Sequence, residues 1–149
     1  MDSSRIAKAA ALAALAPDQR GFLVIGAALI AGCFFAIDNV SYRGIHMLFI
    51  VPGMVALAAA PVASASRAVF RATAVLTLLV LWGLSLQQLV AGLFGGTGYP
   101  MSGSVAIYVY WAASQLAWWW IVSVLIAVLC CFGVQSTVWR TLTDAMRGR

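Results

Sequence analysis

Residues Ser104 to Cys131 read SVAIYVYWAASQLAWWWIVSVLIAVLCC, a run without one Asp, Glu, Lys, Arg or His. It is longer than the roughly 20 residues that cross a hydrocarbon core of about 30 Å, and too apolar for a core helix of a small soluble protein. The other segments are therefore read as its neighbours in a bilayer. Of the 149 residues, 64% are hydrophobic and 9% charged, and the mean hydropathy of +0.99 lies outside the soluble globular range. The net charge of +5 arises from Lys and Arg in short segments between apolar runs. There they act as topology signals, so no nucleic-acid partner is expected.

Four spans are predicted, at about 21–37, 45–60, 72–94 and 105–134. They make an all-α, four-helix transmembrane bundle over 21–134, preceded by a basic interfacial segment, 1–20, and followed by a basic tail, 135–149. Arg5, Lys8, Arg20, Arg67, Arg71 and the tail fall on one side and only Arg43 on the other. Both termini are thus expected in the cytoplasm of a bacterial-type inner membrane. The N-terminal segment reads either as a short helix resting on the leaflet through Ile6, Leu12 and Leu15, or as a frayed tail. A cleaved signal peptide is not expected, because the apolar stretch is short and Pro17 would follow the cut.

Gly26 and its small neighbours in the first span are expected to let helix backbones approach. Pro52 predicts a kink in the second span, since it removes one backbone hydrogen bond. On the last span Tyr108, Trp111, Gln115 and Trp118 or Trp119 recur at three- and four-residue intervals. Trp111, Trp118 and Trp119 are candidate helix or subunit contacts.

Two polar groupings stand out as candidate ligand-binding sites. Asp38, Arg43 and His46 gather around the first outer loop, either as a small ionic cluster or as a loop cap beside an interfacial histidine. Gln87, Gln88 and Gln115 fall in the outer halves of the last two spans, either as interhelical glue or as a small hydrophilic pocket. No metal site or disulfide framework is expected from Cys33, Cys130 and Cys131, and no cofactor is implied. A lone His46 gives no bis-histidine haem ligation, and the spans hold no carboxylate or acyl-transfer constellation, so no enzyme is expected.

From Asp38 to about Leu129 the order of features resembles the MASE-like polytopic sensor modules found ahead of diguanylate cyclase and histidine kinase domains. The likeness rests on the outer Asp38, the Met47-Leu48-Phe49-Ile50-Val51-Pro52 span, the basic inner turn at Arg67, and Tyr99 followed by Tyr110-Trp111. With no output domain expected after Arg149, the resemblance implies signalling through a partner.

Three functions remain open at this level. The first is an accessory or structural subunit of a larger membrane assembly, with a membrane-protein partner or further copies of the chain. The second is a membrane-embedded sensor or small-ligand binding module. The third is a homo-oligomeric channel or transporter, resting on the glutamines and the Pro52 kink.

Overall fold

The computed structural model of the chain describes residues 11–36, 43–94 and 105–136. These are helical, with no strand among them: α1 (Pro17–Ala36), α2 (Arg43–Ala59), α3 (Ser64–Leu81), α4 (Gly83–Phe94) and α5 (Val105–Gln135). Among the described residues three stretches are long and apolar enough to cross a membrane, namely Pro17–Phe35, Ser64–Leu81 and Val105–Val134. The apolar stretches of α2, Ile45–Ala59, and of α4, Gly83–Phe94, are shorter.

Each helix starts where the sequence permits one. Pro17 and Asp18 open α1, where a missing N–H costs nothing and a carboxylate meets the positive end of the helix dipole. Proline also sits inside α2, yet the helix continues through it to Ala59. The Pro52 ring is exposed, away from the packed face.

The expected third span, 72–94, is two helices. The first begins at Ser64, so that Arg67 and Arg71 lie within its first turns, and it stops at Trp82. There the Trp82 N–H donates to the carbonyls of Leu78 and Val80, and α4 sets off from Gly83. The arginine-bearing stretch before residue 72 is thus part of the same helix, because two arginines do not interrupt the backbone ladder.

Helix α1 packs on α2, α2 on α3, and both α1 and α3 on α5. Gly26 of α1 faces Phe49 and Ile50, and Gly53 of α2 faces Leu23. Three residues back along α1 the contact moves three residues forward along α2, so the pair is antiparallel. Phe22 and Phe49 stack beside it, ring centroids 5.9 Å apart.

Leu23, Ile30, Met47, Ile50, Met54, Leu57, Ile121 and Leu125 are fully buried and form the heart of the core. On α5 that core takes nothing before Trp118. Leu12 and Leu15, expected against the leaflet, are buried in the chain's own core instead. Ala91 of α4 and Ile107 of α5 are buried outside it, and these two helices pack on each other.

Candidate functional site

Two hydrogen bonds set the register of α3 and α4 against α5. The Trp120 indole N–H donates to the Thr73 hydroxyl oxygen at 3.1 Å, and the Tyr110 hydroxyl donates to the Gly83 carbonyl. Ten residues forward from Thr73 the contact moves ten residues back along α5, so α3 and the start of α4 run antiparallel to α5. Thr73 in turn donates to the Val69 carbonyl, and Thr77 to the Thr73 carbonyl, both at 2.8 Å. Both threonines are fully buried, and back-bonding within their own helix satisfies the hydroxyls that an apolar interior would otherwise penalise.

The same register locates the amides. Helix α4 begins level with Tyr110, five residues before Gln115 on α5, or about 7.5 Å along the axis. Gln87 and Gln88 lie further from Gln115, beyond that level, so they and Gln115 occupy different depths. Gln87 and Gln115 are half-buried and Gln88 is exposed.

Of the outer rim, Asp38 lies outside the described residues. Arg43 is the first residue of α2, and His46 is half-buried one turn further on. The His46 Nδ1 is buried with no hydrogen-bond partner among the described residues.

The contact candidates divide by role. Gly26 serves contact within the chain, since a Cβ there would stand 2.8 Å from Ile50 Cγ2. Trp118 is buried in the core. Trp119 meets the Phe34 ring edge-on at 5.0 Å while staying half exposed. Trp111 is exposed on the first half of α5.

Sequence reasoning missed three features: the Thr73–Trp120 and Tyr110–Gly83 bonds, Gly53, and the cavities. Thr73 and Thr77 at helical spacing in an apolar run were a visible cue; the tyrosine bond spans 27 residues and had none. Two cavities lie toward the Arg67 end. One of about 280 Å³, open on one side, is lined by Leu12, Ser66, Val69, Phe70, Ala127 and Cys131 among others. The second, about 340 Å³, is walled mainly by alanines, from Ala11 and Ala14 to Ala59 and Ala60, with Gln19 at its edge. Neither is lined by His46 or the three glutamines.

Among the described residues no group of three His, Cys, Asp or Glu is placed to hold a metal ion. No protein-family model, no characterised protein and no solved structure matches the chain.

Proposed function

We propose that the chain is a small accessory subunit of a membrane assembly, crossing the bilayer four times with both termini in the cytoplasm and offering the α4–α5 hairpin to a companion membrane protein. The supporting observation is the imbalance between the two ends of the molecule. Helix α1 ends two residues past Phe34, which lies beside Trp119, whereas α5 continues the same way from Trp118 back to Val105. The hairpin of α4 and early α5 therefore extends roughly 15 Å beyond the end of α1. On it Leu84, Leu93, Phe94, Val105, Val109 and Trp111 are exposed, with the Gln88 amide among them. Lipid offers an amide no hydrogen bond and water offers these side chains no contact; a neighbouring protein offers both.

Purification from native membranes in a mild detergent tests this. A companion chain that is retained by the wild type and lost on Gln88→Leu combined with Trp111→Ala is the expected result. Isolation of the wild type as a lone monomer rejects it.

A sensor role is the second reading, favoured by the unpartnered His46 Nδ1. The motif that suggested sensor modules has a packing role here: Met47 and Ile50 fill the core and Phe49 stacks on Phe22. His46 remains as the group such a module would use. A small-molecule thermal-shift screen on wild type and His46→Ala decides it; hits that ignore the substitution dismiss the sensor.

A further inference from the structure

We infer that the cavity between the start of α3 and the end of α5 is a binding site for an anionic phospholipid, its phosphate held at the head of α3 and part of one acyl chain lying inside. Three separate observations meet there. The cavity, about 280 Å³, falls near the lower limit of small-ligand sites and is walled by Leu12, Val69, Phe70, Ala127 and Val128, which suit methylene groups.

At its polar end Ser66 is 8% exposed and lines the cavity, and its hydroxyl makes no hydrogen bond with the described residues. The head of α3 has no side-chain cap, because Ala63 stands at the N-cap position. The Arg67 N–H is the first to find an acceptor, Ala63 O at 3.0 Å, which leaves the N–H groups of Ser64, Ala65 and Ser66 without an intrahelical partner. Beside them the Arg67 guanidinium reaches Val62 O at 3.4 Å, while its Nε is buried and unpartnered.

Free N–H groups, the positive end of a helix dipole and a guanidinium with a spare donor are the elements of a phosphate cradle. A free phosphate would satisfy that cradle and leave the apolar chamber unfilled. A hydrocarbon alone would fill the chamber and leave Ser66 and Arg67 unsatisfied. A phospholipid answers both demands, and the arginine-bearing end of the molecule is where anionic headgroups collect.

The test titrates the full-length purified chain in neutral detergent with a short-chain phosphatidylglycerol, the matching phosphatidylcholine and inorganic phosphate, read by native mass spectrometry and thermal unfolding. A one-to-one phosphatidylglycerol adduct held about tenfold more tightly than phosphatidylcholine, with no shift from phosphate, is expected. Arg67→Gln or the milder Ser66→Ala should erase the preference for the anionic lipid. Ala127→Phe, which fills the chamber, should remove the adducts of both lipids while helical content is kept. Equal binding of the two lipids by the wild type overturns the phosphate cradle. A response to inorganic phosphate as strong as to lipid, or an adduct that survives Ala127→Phe in a folded protein, overturns the acyl chamber.

Discussion

Glycine is common in the first span, yet its glycines carry different weights. At Gly26 a methyl group would stand 2.8 Å from Ile50 Cγ2 and 2.9 Å from Phe49 Cβ, with the Ile50 backbone nitrogen 3.3 Å away. Since the crowding involves a Cβ and lies next to a backbone atom, rotamer changes do not relieve it, and α1 must move off α2. Gly26→Ala is expected to cost about 1–3 kcal/mol, the usual range for overpacking. At Gly32, on the same helix, nothing lies within 4 Å, and alanine should be neutral or stabilising by about 0.4–1 kcal/mol. Reversible unfolding in mixed micelles separates the two variants; equal effects at both sites would show that the α1–α2 approach is not as close as described. The sequence showed that small residues recur in α1. It did not show which glycine faces a neighbour, because that depends on the rotation of α2, which also sets the reciprocal contact at Gly53.

At the scale of one helix, the break at Trp82 is slight, since the Trp82 N–H still reaches Leu78 O at 3.2 Å and the Leu86 N–H reaches Trp82 O at 2.9 Å, and a long-range contact sits beside it. Nothing polar or cyclic in residues 78–84 forbids a continuous helix; Gly83 is the sole weak point. The Tyr110 hydroxyl, arriving from α5, donates to the Gly83 carbonyl and so anchors α4 where it departs from α3. Irregular backbone in an apolar setting persists where such a partner exists. Tyr110→Phe removes the donor and keeps the ring, and should cost about 0.6–2 kcal/mol, as interhelical hydrogen bonds in membranes do. Amide exchange should quicken over residues 83–88 with α1 and α2 unchanged; a uniform change along the chain would argue against an anchor.

The two ends of α5 should likewise respond differently to truncation. Leu125 is fully buried, and Leu125→Ala is expected to cost about 2–5 kcal/mol, whereas Leu116, 71% exposed, should tolerate alanine within about 0.5 kcal/mol. Stability of the two variants in the same micelles checks this contrast. The sequence showed α5 as one uniform apolar rod because its pattern has no polar face; only the shorter neighbours mark where its core ends.

For the whole molecule the question is where the membrane sits, and charge and length pull in different directions. Helix α5 has 31 residues, about 46 Å, too long for a core of about 30 Å even at the steepest usual tilt of about 40°. Helix α1, with 20 residues, fits it. Continuing the register set by Thr73–Trp120 and Gly83–Tyr110 puts Trp82 level with Trp111, and both indoles are exposed, as in an aromatic belt. The end of α1 stops roughly one to two turns short of that height. An outer boundary there keeps Gln88 outside the hydrocarbon and Gln115 one turn within it. Arg71 then lies well inside the opposite boundary, at a cost of up to about 2.5–3.5 kcal/mol, reduced as its side chain snorkels toward the nearer membrane surface. Raising the membrane to relieve Arg71 would sink the outer ends of α1 and α2 deeper still. The lower placement therefore wins, and it leaves the apolar hairpin tip outside the hydrocarbon, where the proposed companion would cover it. Single cysteines introduced into a chain with Cys33, Cys130 and Cys131 replaced by serine test it. An impermeant maleimide added to intact cells should label Ser102→Cys and spare Gln115→Cys. Gln88→Cys should be shielded in native membranes and become reactive once the chain is purified alone. Labelling of Ser102→Cys only after permeabilisation would reverse the orientation, and a Gln88→Cys shielded equally in both preparations would place α4 in the hydrocarbon and remove the case for a companion at that surface.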